Sequence, residues 1–232
     1  MRENNKQELK LLEHKNIKLL VRANSTDEMV FNEVIVKHNY EKKEFKILPN
    51  EKWLDLGANI GSFAVFACSK GAYVKSYEPE PNNFSVLKEN SKDKNTECFE
   101  LAVVGNNKDE MTLSLGKDES NHWRHSLYKN KKGLLIKVKC VNINTLITDD
   151  IDCIKMDIEG GEIDIFDNVE NWRNVKKLVF EYHFDIQPNM FRFFQQMKKL
   201  RKHFTKIDYG TFPAGMVNYK FFPAGRIVFC EI

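Results

Sequence analysis

The feature that most constrains this chain is the turn Asp55-Leu-Gly57-Ala-Asn59-Ile-Gly61, set between an apolar run and an amphipathic one. Lys52-Trp-Leu-Asp-Leu56 reads as a strand, and Ser62 to Lys70 as a helix closed by Gly71 at its C-terminal cap. Glycines in such a turn let the N–H groups at the helix start approach a ligand, because no Cβ stands in the way. Tyr73-Val-Lys-Ser-Tyr77 is the next strand, and Glu78 closes it about 20 residues after the turn, where a carboxylate can accept bonds from ribose hydroxyls. The glycines follow G-x-x-x-G rather than G-x-G-x-x-G, which argues against a nicotinamide or flavin site.

Beyond residue 50, short apolar runs alternate with amphipathic segments, the rhythm of an α/β fold around a mostly parallel sheet. After Glu78-Pro-Glu-Pro81, Asn82 or Asn83 is expected to cap a helix from Phe84 to Ser91. Cys98 to Val104 reads as a third strand, Ile151 to Met156 as a fourth with a helix beginning near Gly160, and Lys177 to Tyr182 as a fifth. Met111 to Leu115 and Leu134 to Val141 alternate apolar and polar residues, which predicts an antiparallel hairpin inserted between the third and fourth strands. Pro188 sits near the start of a helix whose buried stripe is expected to be Phe191, Phe194, Met197, Leu200 and Phe204. Thr205 to Tyr209 and Arg226 to Ile232 are the last two strands. Residues 1–48 read as an N-terminal extension, with a helix from Gln7 to Lys15 and strands from Ile17 to Arg22 and Val30 to His38. Residues 49–232 read as one catalytic-type domain.

Charge and cysteine content exclude several classes. The 36 Lys and Arg against 33 Asp and Glu leave a net charge of +3, too mild to indicate a nucleic-acid binder without a concentrated patch. The one basic cluster, Lys129-Asn-Lys-Lys132, reads as a solvated turn, and His122 with His125 has no cysteine or acidic partner nearby for zinc. No run approaches the roughly 18 apolar residues of a membrane span. No apolar segment follows Met1 as a signal peptide would require. Cys68, Cys98, Cys140, Cys153 and Cys230 are dispersed in apolar segments, as in a soluble cytoplasmic protein.

The glycine turn resembles the first motif of class I S-adenosylmethionine-dependent methyltransferases, and Glu78-Pro79 resembles their ribose-binding acidic residue. Ile154-Lys-Met-Asp157-Ile-Glu159-Gly160-Gly-Glu162 is similar to the signature of the FkbM family, and Phe180-Glu181-Tyr-His183 to its acidic fifth-strand end. The resemblance covers roughly residues 50–185. It departs at Asn144, where the family usually has Asp. It implies a Rossmann-like fold with a seven-stranded, mostly parallel sheet whose last strand is antiparallel, and O-methylation of a sugar or polyketide hydroxyl. It also implies that Gly57, Ala58, Asn59 and Gly61 line the methionine part of S-adenosylmethionine. Glu78 and Pro79 would meet the ribose, and Ala102 and Val103 the adenine, while Asp55 orients the loop through backbone bonds.

Glu159 and Glu162 at a helix start can equally serve only to satisfy free N–H groups. Asp157 instead closes a central strand, at the edge where ligands bind in open α/β sheets. Asp157, Glu181 and His183 are therefore the expected catalytic groups. They are suited to holding Mg²⁺ or Mn²⁺, or to using His183 as a general base toward a sugar or glycan acceptor. The aromatic-rich stretch from Gly210 to Gly225, with Phe212, Met216, Tyr219, Phe221 and Phe222 and a duplicated Phe-Pro-Ala-Gly, is expected to meet that acceptor. The competing readings are an RNA methyltransferase on the same fold and a binding module without turnover.

Overall fold

The computed structural model describes residues 8–115, 134–184, 190–210 and 225–232. The strands are β1 (Leu9–His14), β2 (Ile17–Arg22), β3 (Lys52–Leu56), β4 (Tyr73–Tyr77), β5 (Thr96–Phe99), β6 (Ala102–Val104), β7 (Glu110–Ser114), β8 (Leu135–Asn142), β9 (Cys153–Met156), β10 (Lys177–His183), β11 (Lys206–Asp208) and β12 (Gly225–Glu231). The α-helices are α1 (Asp27–Phe31), α2 (Ser62–Ser69), α3 (Pro81–Asn90), α4 (Ile143–Leu146), α5 (Glu162–Asn168) and α6 (Met190–Leu200). A π-helical turn, Asn32–Val36, continues α1.

Seven strands form one sheet in the order β11-β12-β10-β9-β3-β4-β5. β12 runs antiparallel to both β10 and β11, and the other pairs are parallel. This is the Rossmann-like arrangement expected. Alternate residues of the central strands feed two cores. Leu54, Ile154 and Phe180 face α5 and α6, whereas Trp53, Cys153 and Val179 face α2 and the N-terminal segment.

Several local expectations are corrected. Gln7 to Lys15 is not a helix: Leu9–His14 pairs antiparallel with β2, with Lys15 turning the hairpin at φ 55°. The segment read as strand Val30 to His38 is helical, and it buries Phe31, Val34 and Ile35 at helical spacing. Glu80, not Asn82 or Asn83, caps α3, its carboxylate accepting from Asn83 N at 2.7 Å. The single third strand is two. β5 ends at Phe99, and β6 leaves the main sheet to pair parallel with β8, which also carries the expected hairpin with β7. Of the stripe expected on α6, Met197, Leu200 and, just past its end, Phe204 are buried, but Phe191 and Phe194 are exposed and Phe193 is buried in their place.

All five cysteines are free. Among the described residues no helix is long and apolar enough to cross a membrane. Pro188, the His122/His125 pair, Lys129 to Lys132, and Phe212, Met216, Tyr219, Phe221 and Phe222 lie outside the described residues.

Candidate active site

Strand register builds the site. Leu56 is level with Tyr77 on one side and Met156 on the other, and Met156 is level with Phe180. The next residue of each strand, Gly57, Glu78, Asp157 and Glu181, therefore falls in one row along the carboxyl edge. The sheet order reverses between β3 and β9, so this row spans the switch point at which open α/β sheets bind ligands. A cavity of about 570 Å³ opens there, a size suited to a small-molecule ligand.

Of the residues expected at the site, Gly57, Ala58, Asn59, Glu78, Pro79, Ala102, Val103, Asp157, Glu181 and His183 all line this cavity. Asp55 and Gly61 do not. Gly61 is the N-cap of α2 at φ 91°, packed so that a Cβ would lie 2.8 Å from Leu87 Cδ1. Gly57 is required for a different reason from the one expected. At φ 75°, a Cβ there would stand 1.9 Å from the carbonyl oxygen of Asp157, so a side chain would strike the backbone just past β9 before it met any ligand. Ala102 and Val103 reach the wall from the small sheet rather than from the end of the third strand.

Asp55 acts from below and through an intermediary. It is fully buried and level with Lys155 on the adjacent strand, whose ammonium lies 3.1 Å from Asp55 Oδ1 and donates to Gly57 O at 2.8 Å. The backbone bonds expected from Asp55 to the loop are thus made by Lys155. Burial alone would lower the Lys155 pKa, but Asp55 and Asp157 hold it above its ordinary value. Lys155 is a residue whose role the sequence reading missed. Its signal was present as a charge in an otherwise apolar central strand, opposite another charge of the same strand parity.

Glu78 accepts from Asn59 N at 2.8 Å and Glu80 N at 2.9 Å, so it ties the glycine turn to the start of α3. Burial pushes its pKa up to about 7 against the effect of those N–H donors. At the opposite end, His183 Nδ1 is 3.1 Å from Glu162 Oε1. Glu162 also accepts from Ile158 N and Gly160 N, which makes it the brace of the loop and imidazole, not a lining group. With Glu162 accepting, Nδ1 carries a proton and Nε2 faces Asp157 Oδ1 and Glu159 Oε2, each 3.7 Å away. Burial lowers the His183 pKa, but Glu162, Glu159 and Asp157 together lift it well above its ordinary value. Burial, helped by the neighbouring carboxylates and opposed by His183, raises Glu159 and Glu181.

The cation-binding set expected from Asp157, Glu181 and His183 is altered. The donor atoms that converge, all within 4.8 Å, belong to Asp157, Glu159 and His183. Glu159 enters because it adopts φ 52° after the strand, turning from the helix it was expected to cap. Glu181 lies on the wall outside that group. Asn144 bonds to Asn168 O and Glu170 N and lines no part of the cavity.

The Methyltransferase FkbM domain family matches residues 55–208, which include both the glycine turn and the His183 end of the cavity. The chain belongs to the FkbM methyltransferase family. No curated protein matches it. Solved structures share the fold. One is the Pyrococcus abyssi tRNA (uracil-54, C5)-methyltransferase in complex with S-adenosyl-L-homocysteine, 12% identical over 97% of this chain and 44% of that one, TM-score 0.52. Another is the Methanococcus jannaschii fibrillarin pre-rRNA processing protein, 13% identical over 100% of this chain and 85% of that one, TM-score 0.50. A third is a SAM-dependent methyltransferase of Agrobacterium tumefaciens, 11% identical over 97% and 70%, TM-score 0.50. This FkbM-family chain spans less than half of the Pyrococcus protein.

The buried carboxylates predict a pH dependence of stability. Glu78, Glu159, Glu181 and His183 all have folded pKa values above their ordinary ones, so each contributes stability that is lost as pH rises through the raised value. Asp150, Asp152, Asp167 and Asp208 are lowered, and their contribution is lost only in acid, below about pH 4. The melting temperature of the ligand-free protein should therefore be several degrees lower at about pH 8 than at about pH 5.5. A scanning-fluorimetry profile that is flat or rises across that interval would contradict these assignments.

Proposed function

We propose that the cavity binds S-adenosylmethionine and that the enzyme transfers its methyl group to a hydroxyl oxygen of a sugar or glycan. The observation that carries the reading is the division of the walls. Glu78 with Pro79, Ala102 and Val103 forms one end, and Asp157, Glu159, Glu181 and His183 form the other. Two buried oxygens on the wall, Asn59 Oδ1 and Ser62 Oγ, have no hydrogen-bond partner, which suits a polar ligand lying against the glycine turn. Glu78 with Pro79 would hold the ribose, Ala102 and Val103 the adenine, and Gly57, Ala58 and Asn59 the amino-acid portion. The bound cofactor supplies a methyl group already activated on a cationic sulfur.

What remains for the chain is to align the acceptor oxygen and remove its proton. On this reading His183 Nε2 takes it. The surrounding carboxylates favour imidazolium, and a cation bound in the same cavity shifts that balance back toward the neutral base. Asp157 and Glu159 then stabilise the imidazolium that forms. The carboxylates also favour a polyol over a phosphodiester. Among the described lining residues the only Lys or Arg is Lys155, already paired with Asp55, so phosphates would meet negative charge. The convergence of Asp157, Glu159 and His183 supports a second reading of this end, as a Mg²⁺ or Mn²⁺ site that acidifies the hydroxyl.

Incubation with methyl-labelled S-adenosylmethionine and, in parallel, neutral oligosaccharides, nucleotide sugars and RNA tests the proposal. Label is expected on a sugar oxygen and absent from RNA, and the reverse would overturn the acceptor class. Turnover that survives exhaustive EDTA supports the unaided histidine. Loss restored by Mg²⁺ or Mn²⁺ supports the cation.

A further inference from the structure

The family match begins at residue 55, yet part of the cavity wall comes from before it. Glu33 from the π-helical turn, with Asn39 and Tyr40 just beyond it, lines the same space as Asp157 and His183. Tyr40 is 6% exposed, with its ring edge-on to Phe63 at 5.7 Å and the Lys155 ammonium 5.4 Å from its centre. Its hydroxyl donates to Asp157 Oδ2 at 2.9 Å, across 117 residues of sequence. The other oxygen, Oδ1, is left 3.7 Å from His183 Nε2, beyond hydrogen-bonding distance.

We propose that Tyr40 is a positioning residue for methyl transfer: by pinning Asp157 Oδ2 it keeps that carboxylate from closing onto His183 and leaves Nε2 open toward the acceptor. The inference rests on the proposed function, because it concerns the same proton-accepting end. Three contacts make Tyr40 rigid enough for this: the packing on Phe63, the cation over its face and the hydrogen bond itself. Without the hydroxyl, Asp157 is free to rotate and accept from the imidazolium N–H at Nε2 the 2.7–2.9 Å charge-assisted bond that the present geometry denies it. Such a bond would hold a proton on the nitrogen that must be free to receive one. The segment outside the family match thus supplies a working part of the site, with Glu33 and Asn39 beside it on the acceptor side.

Tyr40→Phe isolates the hydroxyl, since the ring and its packing remain. The rate kcat is expected to fall by about tenfold or more, as for a small misplacement of a reacting group. The KM for S-adenosylmethionine, the affinity for S-adenosylhomocysteine and the melting temperature should stay close to wild type. Single-turnover rates should show no further loss when Tyr40→Phe is added to Asp157→Asn, since the neutral amide removes the carboxylate that Tyr40 holds away from His183. An unchanged kcat overturns the proposal. So does a loss that is additive with Asp157→Asn or is accompanied by weakened S-adenosylhomocysteine binding, which would mark Tyr40 as merely structural. The ratio of variant to wild type is read on whichever acceptor the wild type methylates. Transfer to RNA would therefore refute the sugar reading and still decide the role of Tyr40. Absence of any transfer by wild type would remove both.

Discussion

Lys155→Met should cost about 3–5 kcal/mol of folding stability, the largest single-site loss expected in this protein. Lys155 and Asp55 are 4% and 0% exposed, so removing the ammonium strands a buried carboxylate without its counter-charge. Asp55 already has a pKa raised by burial in spite of Lys155, and without that cation it would bind a proton at still higher pH. The same substitution releases Gly57 O, which loosens the glycine turn and should weaken S-adenosylhomocysteine binding. The double variant Asp55→Leu with Lys155→Met should recover much of the stability, because a buried ion pair replaced by apolar residues of similar volume is often neutral. It should not recover the binding. Urea denaturation of the wild type and the two variants checks this, and a Lys155→Met loss below about 1 kcal/mol would show the pair to be far better solvated than its burial indicates.

His183→Asn should lower kcat by about 10²–10⁴-fold while leaving S-adenosylhomocysteine affinity nearly unchanged. The asparagine amide can still donate to Glu162 in place of Nδ1, so the bracing of Ile158 N and Gly160 N by that carboxylate is preserved. What is lost is Nε2, the one atom assigned to receive the acceptor proton. A kcat within about threefold of wild type would exclude His183 as the base and leave Asp157 or Glu159 to serve. A proportional loss of cofactor-product affinity would place His183 at the other end of the cavity from the one argued.

How much of this was legible in the sequence depends on how local the determinants are. β3 and β4 fall where apolar runs end at a glycine turn and at Glu78, because strand, turn and helix start are all specified within a few residues. The row of Gly57, Glu78, Asp157 and Glu181 was legible for the same reason: each closes a strand, and parallel register does the rest. Leu9–His14 was misread because its leucines also suit one face of a helix. Pairing with β2 decided the matter, and periodicity over so short a run does not report pairing. The break between Phe99 and Ala102 escaped notice because both halves are apolar and β-prone, and only the change of sheet partner separates them. Glu159 was read as equally able to do no more than satisfy a helix start, and with φ 52° it lines the cavity. Tyr40 left no trace in the sequence, since nothing local to His38-Asn-Tyr40 announces a carboxylate 117 residues away.

The central claim is that one cavity at the carboxyl edge holds the methyl donor with Glu78 as its ribose contact. Isothermal titration of S-adenosylhomocysteine into wild type and Glu78→Ala tests it most directly. The account predicts saturable one-to-one binding to wild type, weakened by about 1–3 kcal/mol in Glu78→Ala through loss of charge-assisted hydrogen bonds. Circular dichroism would confirm that the variant is folded. No binding to wild type, or equal affinity in a folded Glu78→Ala, would contradict it.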